Sequence, residues 1–331
     1  MHRTSSRRSA LFLVFLAAFP AFVLAQQNLP QNFPNRAVRI VVPFPPGGPA
    51  DLFARVLGQG MSSSLGQAVV IENRAGAGGV VGVDFVAKAP ADGYTLAMNS
   101  GSAVSMAPHA MPKMPYDWKK DLAYITLVVK VPEVLVIHPS LPVKSLAELI
   151  AYARANPGKI NYGSAGAGSI THLAVELLKA DAQLDLVHVP YKGAAPAVTD
   201  MIAGQVQMGV FDVPVVLQHI RSGALRALAV TSASRTSTLP DVPTTAEQKY
   251  AAVVSDNWYG LAAPAATPPD VLKLLNGAAT NALRSPQLGE QYARVAGIPS
   301  PTTPEDYAAF IASESVKWGA VIRAIGFKAQ E

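Results

Sequence analysis

Four glycine-rich stretches hold the residues of this chain best suited to chemistry. The first, Pro43-Phe44-Pro45-Pro46-Gly47-Gly48-Pro49-Ala50-Asp51, follows an apolar run and precedes a helical one. Its prolines withhold amide donors, its glycine pair lets the backbone come close to a bound group, and Asp51 is placed to cap the helix. Since N-terminal helix amides point outward, the stretch either holds an anion or is a rigid turn with Asp51 as a plain cap.

The second stretch, Asn73-Arg74-Ala75-Gly76-Ala77-Gly78-Gly79-Val80-Val81-Gly82, looks at first like a dinucleotide fingerprint. Counted from Gly76, however, its glycines fall at offsets 0, 2, 3 and 6, where the fingerprint needs 0, 2 and 5. Close packing of a helix on its strand is the alternative. The third, Tyr162-Gly163-Ser164-Ala165-Gly166-Ala167-Gly168-Ser169-Ile170-Thr171-His172, offers three hydroxyls and flexible backbone at a helix start. Such a turn can hold a carboxylate without Arg or Lys. It also reads as a flexible turn with Ser169 as an ordinary N-cap. An esterase elbow needs G-x-S-x-G, but Tyr162 stands two residues before Ser164 and Ala167 two before Ser169. The fourth is a pair of strand ends, His188 to Gly193 and Gly209 to Pro214. There Asp212 is either a helix N-cap or a cleft acceptor, while Tyr191 and Lys192 face the cleft or solvent. Trp258 and Tyr259 read as core or hinge packing.

No metal is expected, because His109, His138, His172, His188 and His219 never fall three or four residues apart. No cofactor is expected either.

The elements that must carry these turns alternate. Val38 to Phe44, Ala68 to Ile71 and Tyr94 to Met98 read as buried strands, with helices over Leu52 to Leu65 and Val80 to Ala89. This order implies parallel pairing and right-handed crossovers. A second set follows, with strands at Ile160 to Gly163, Leu186 to Pro190, Val206 to Phe211 and Leu225 to Thr231. Helices Ile170 to Ala180, Ala195 to Ala203 and Pro214 to Ser222 separate them. Ala123 to His138 is a long extended stretch broken by Pro132, suited to leaving one lobe for another, and Asn257 to Ala262 looks like the return. Helices at Pro268 to Leu283 and Pro304 to Ile325 close the chain, the last opening on a Thr303/Asp306 cap. Tyr307, Phe310, Ile311, Trp318, Val321, Ile322 and Ile325 share its apolar face, which Glu314 interrupts, so Glu314 needs an edge or a partner.

Length and composition agree with two lobes. The chain has 331 residues, half of them apolar, 15% charged and none of them cysteine, which excludes disorder, disulfide scaffolds and thiolate metal sites. Arg3, Arg7 and Arg8 precede an apolar run from Ala10 to Leu24 that ends on Ala25. This is a secretory leader, with cleavage expected after Ala25; the run is shorter than the ~20 residues that span a bilayer. Ser6-Arg7-Arg8 hints at twin-arginine export, so the route stays open. Without those three arginines the formal charge falls from +5 to +2, too little and too scattered for nucleic acid. An exported, monomeric protein that does not span the membrane is expected.

Taken together, Pro43 to Asp51 with Ala54-Arg55, Asn73 to Gly82, Ala91 to Leu96, Tyr162 to Leu173, Val189 to Gly193, Gly204 to Val206, and His219-Ile220 with Gly223 and Leu225 to Thr231 resemble one family in register. It is the Bug family, the TctC-type periplasmic solute-binding proteins of tripartite tricarboxylate transporters. The resemblance implies an α/β, two-lobed type II periplasmic-binding (Venus flytrap) fold closing on a small organic carboxylate. Lobe 1 would comprise residues 36–126 and 254–331, lobe 2 residues 127–253, and residues 1–25 the leader. Carried over, the ligand-binding positions are Phe44, Gly47, Gly48 and Asp51 on one side, and Ser164, Gly166, Gly168, Ser169 and Thr171 on the other. Asn99 and Ser100 match further polar contacts, and Asp212 an acidic position that receives a ligand donor. Pro49-Ala50 and the Met/Pro-rich Met106 to Met114 depart from the family pattern and reshape the pocket. The implied partners are TctA/TctB-type membrane subunits or a sensor kinase, and the implied role is not enzymatic. The rival readings are an exported α/β hydrolase or oxidoreductase, and a sensory adaptor presenting the carboxylate to a membrane kinase.

Overall fold

The computed structural model describes residues 33–328, together with His2. The expected leader and its cleavage site lie outside the described residues. The first α/β unit consists of β1 (Val38–Val42), α1 (Pro49–Leu65), β2 (Val69–Asn73), α2 (Val80–Ala87) and β3 (Thr95–Ser100). The central strand β1 is a nearly continuous run of Val and Ile, buried except at Arg39, as a strand covered on both faces requires. β1 lies in the middle, parallel to both β2 and β3. A π-helical turn, Ser102–Met106, then leads into α3 (Ala107–Ala110).

β4 (Leu122–Ile137) is one unbroken strand of 16 residues, where a stretch broken by Pro132 was expected. Pro132 marks a change of partner instead. Up to Pro132 the strand pairs antiparallel with β9 (Asp256–Pro264); from Glu133 to Ile137 it pairs antiparallel with β7 (Met208–Asp212). A residue without an amide donor is tolerated where one ladder ends and the next begins.

The second unit holds α4 (Leu146–Ala155), β5 (Asn161–Ser164), α5 (Ile170–Ala182), β6 (Val187–Pro190) and α6 (Ala194–Ile202), then β7, α7 (Val213–Arg221) and β8 (Arg226–Val230). β5 runs parallel to β6 and β7, while β8 pairs antiparallel with β4. After β9 come α8 (Pro269–Leu283), α9 (Pro286–Ala293), β10 (Ile298–Pro299) and α10 (Pro304–Ala324). The sheet order is β2-β1-β3-β9-β4-β7-β5-β6. Helices α4 and α9 and strand β10 are additions to the sequence reading. So is the start of α1 at Pro49 rather than Leu52, because Pro49 is pre-set for the first helical position.

Separate cores form on the two sides of the partner change. Ile40, Phe53, Leu57, Met98, Leu261 and Tyr292 anchor one; Leu135, Leu149, Tyr162, Leu178 and Val210 anchor another. Helix α10 packs against the first side, as its apolar face predicts, with Tyr307, Ile311 and Trp318 fully buried. Thr303 accepts from the Asp306 amide at 3.1 Å. Glu314 finds its partners: Trp318 and Trp258 donate their indole N–H groups to its Oε2 at 3.1 and 3.3 Å.

Tyr307 reaches across the sheet to donate to Asn99 Oδ1 at 2.8 Å, passing over Gly260. A Cβ on Gly260 would stand 2.1 Å from the Tyr307 hydroxyl. Gly260→Ala is therefore expected to cost ~1–3 kcal/mol by overpacking, read as a lower urea midpoint with an unchanged slope; an unchanged midpoint refutes this packing.

Candidate functional site

The first turn is held from behind. Asp51 Oδ2 accepts from the Gly47 amide (3.1 Å) and Arg55 Nε (2.9 Å), and Oδ1 from Arg55 Nη2 (2.8 Å) and Asn73 Nδ2 (3.0 Å). Asn73 also donates to the Phe44 carbonyl at 3.0 Å, tying the first turn to the start of the second. Burial alone would raise the Asp51 pKa, but the bonds from Arg55, Gly47 and Asn73 hold it below the usual carboxylate range. The expectation of Asp51 as a helix cap is corrected: Gly48 occupies that position, and Asp51 lies inside the first turn with both oxygens engaged.

The second turn supplies proximity. Gly78 and Gly79 adopt φ of +62° and +102°, conformations that favour glycine. The Phe44 ring packs on Gly79, and the Gly78 amide lies 3.6 Å from where a Cβ of Gly166 would be. Close packing is what this stretch does, in keeping with its missed fingerprint.

The third turn is braced by hydroxyls and imidazoles. Thr171 Oγ1 accepts from the Ala165 amide (2.8 Å), and Ser169 Oγ donates to the Gly166 carbonyl (2.6 Å) while capping α5 at the His172 amide (3.4 Å). Ser164 Oγ lies 2.6 Å from His188 Nε2 and accepts from the Gly166 amide at 3.1 Å. His172 Nδ1 accepts from the Gly168 amide at 3.1 Å, so its proton sits on Nε2, which points to Glu176 Oε1 at 3.8 Å. The His172 and His188 rings stack 4.0 Å apart. Burial, followed for His172 by the neighbouring His188, pushes their pKa values down to about 3 and about 4.

These turns meet across a closed cleft. Ser102 Oγ accepts from the Ile170 amide at the start of α5 (3.1 Å), and Pro45 lies where a Cβ of Gly193 would clash at 2.6 Å. What remains open are two chambers that share Ser102. The inner one, about 20 Å³, is lined by Phe44, Gly48, Ser169, Thr171 and Ala194, with Asp212, Asn257 and Tyr259 among its walls. The outer, about 260 Å³, is lined by Gly78, Gly166, Gly168, Met111, Tyr191 and Lys192 among others. Asp212 accepts from Asn257 Nδ2 (2.9 and 3.0 Å) and from the Tyr259 hydroxyl (2.6 Å). It stands at the N-cap position of α7 but caps nothing with its side chain. Burial raises its pKa to about 6, against the hydrogen bonds from Tyr259 and Asn257.

Phe44, Gly48, Ser169, Thr171 and Asp212 thus come together around the inner chamber, and Gly166 and Gly168 around the outer. Gly47, Asp51, Asn99, Ser100 and Ser164 line neither chamber. Asn99 Oδ1 is taken by Tyr307, while its Nδ2 and the Ser100 hydroxyl are buried without partners. Sequence reasoning missed Ser102, Asn257 and Tyr259 as lining residues. Asn257 and Tyr259 alternate along β9 and so share one face, a signal that was there to be used. Trp258, between them, is core packing as expected. The Met106 to Met114 segment supplies Ala107, Ala110 and Met111 to the outer wall.

Two α/β units, joined by crossing strands and closing glycine turns over a small cavity, define a two-lobed solute-binding protein of the periplasmic type. Residues 53–327 match the tripartite tricarboxylate transporter family receptor. The chain is 43% identical to protein BugT of Bordetella pertussis over 298 residues, 90% of this chain and 91% of that one. It superposes on R. palustris Rpa4515 with adipate at a TM-score of 0.87, with 33% identity, over 89% of this chain and 99% of that one. It also superposes on MatC of Rhodopseudomonas palustris with bound malate at 0.84, with 31% identity, over 88% and 100%. The chain belongs to the tripartite tricarboxylate transporter receptor (TctC) family.

His172 and His188 give this site an acid limit. Unfolded histidines bind protons near pH 6.5, whereas these take them up only near about 3 and about 4. Their stabilising contribution is therefore complete above about pH 6.5 and drains away as pH falls towards those values. Thermal melts of wild type and His188→Gln at pH 7.5 and 4.5 are expected to show a larger acid loss in wild type; equal losses refute the assignment.

Proposed function

We propose that the protein is a periplasmic receptor that captures one small organic carboxylate between two lobes. Lobe 1 takes in residues 36–126 and 254–331 and lobe 2 residues 127–253, with Leu127 to Pro132 of β4 still paired to β9 and packed in the first core before the strand crosses over. The observation that carries this reading is the meeting of the first and third turns over an inner chamber whose walls hold no Lys or Arg. Hydroxyls and backbone amides bind a carboxylate there without the strong charge pairing that would slow its release. A space of about 20 Å³ holds little more than one water-sized group, so an oxygen of the acid group reaches the inner chamber and the body of the ligand lies in the outer one, with Lys192 in its wall. The relatives solved with adipate and with malate support a carboxylate as ligand.

Closure follows from binding, because only the shut form presents both turns to one ligand. Export by the leader, cleavage after Ala25, and delivery to TctA/TctB-type membrane subunits or a sensor kinase complete the reading. A receptor rather than a hydrolase is favoured by Ser164. Its hydroxyl is near His188 but fully buried, and it lines neither chamber.

Thermal-shift screening against di- and tricarboxylates, acidic amino acids and aromatic carboxylates tests the proposal. Ligand at a hundredfold excess over its Kd adds ~2.7 kcal/mol, a rise of roughly 4 °C for a protein of this size. Ala195→Leu, which adds bulk at a residue lining the inner chamber, is expected to abolish the shift. A panel without any shift overturns the receptor reading. Ester or carboxylate turnover that vanishes in Ser164→Ala establishes the hydrolase instead.

A further inference from the structure

Beneath the inner chamber lie two carboxyl groups for which receptor architecture gives no reason. Glu133 on β4 and Asp212 on β7 are direct partners in the antiparallel ladder, so their side chains leave the sheet on the same face. Both are buried, at 0% and 1% exposure. Ser255 donates to Glu133 Oε2 at 2.7 Å, while Oε1 has no partner. Asp212 is served only by the neutral donors of Asn257 and Tyr259 on β9.

The charged groups around them do not restore neutrality. Asp256, also on β9, adds a third carboxyl that raises the Glu133 pKa. On α10, Lys317 exerts a weak opposing pull, but its ammonium pairs with Glu314 at 3.7 Å, and Glu314 in turn works against Asp256. Lys130, at the surface, acts on Asp256 alone. The hydroxyl of Thr231, just past β8, accepts from Ser255 at 3.1 Å. Among the described residues, no Lys, Arg or His forms an ion pair with Glu133 or Asp212.

Two carboxylates facing each other in a dry interior do not both stay ionised. Burial and the neighbouring Asp212 push the Glu133 pKa well above its ordinary value, so Glu133 is the member of the pair more inclined to keep a proton. Asp212 also lines the chamber that receives the ligand's acid group under the receptor reading, on which this step rests. An incoming carboxylate would meet an anion with no cation nearby.

We infer that the acid group is captured together with one proton: Glu133 keeps the first proton in the empty protein, and Asp212 takes a second from solvent as the carboxylate arrives. The bound pair of carboxylate and Asp212 then carries a single negative charge, shared through the proton and the donors of the turns. A ligand whose ammonium group faced Asp212 would need no such proton, so the site separates simple acids from amino acids by pH.

Adipate and malate, which carry no amine, serve as probes. Titration calorimetry at pH 7.5 in phosphate and in Tris reads the protons taken up from the difference in enthalpy. Uptake of about one proton is expected, with affinity falling about tenfold per pH unit from 7 to 8. Both effects disappear in Asp212→Asn and persist in Glu133→Gln, which mimics the protonated residue. Binding without uptake in wild type overturns the inference. Infrared spectroscopy of the empty protein supplies a readout that needs no ligand. A protonated-carboxyl C=O band at pH 7.5, lost in Glu133→Gln, supports the pair, and its absence from wild type overturns it. If neither acid binds while the band is present, the failure belongs to the receptor reading for these acids and the proton-holding pair stands.

Discussion

The antiparallel pairing of β4 first with β9 and then with β7 is the constraint on which the rest of the molecule depends. One strand gives its first eleven residues to one ladder and its last five to the other. The two α/β units therefore share a backbone rather than merely abutting, and their relative orientation is limited by the twist of that strand. The turns that follow β1 and β5 are thereby directed towards the same gap. Without the shared strand, Pro45 would have no reason to lie against Gly193, nor Ser102 against the first amide of α5.

The partner change also decides what lies at the floor of that gap. It places Glu133 opposite Asp212 and brings Asn257 and Tyr259 alongside from the returning strand. Neutral donors around a buried carboxyl cost less in desolvation than a buried ion pair, and they leave the group free to change protonation. The turns above follow the same economy. They rely on hydroxyls and backbone amides held by internal hydrogen bonds, so each turn keeps its own shape before any ligand arrives.

The architecture was legible because its signals are local. Unbroken Val/Ile runs, glycine turns and a period near 3.6 in α10 each report on a few neighbouring residues, and the Glu314 interruption correctly demanded partners. Helix α4 carries a local signal too: Ser145 caps the Glu148 amide, and Glu148 reaches back to accept from the Lys144 amide, at the start of its apolar run. The two-residue β10 is too short to show a period.

The roles of single polar residues were harder to read, because they depend on partners that only the fold supplies. Asp51 has the composition and placement of a ligand contact. Its oxygens go instead to Arg55, one helical turn on, and to Asn73, which arrives from the next strand. Asn99 likewise meets Tyr307, more than two hundred residues later in the chain. Asp212 could not be divided between cap and cleft by inspection, since the deciding fact is that Asn257 and Tyr259 reach it across the returning strand. A carboxyl already surrounded by donors has no need of a helix amide. That leaves its charge, and not its hydrogen bonding, as the property an arriving ligand must contend with.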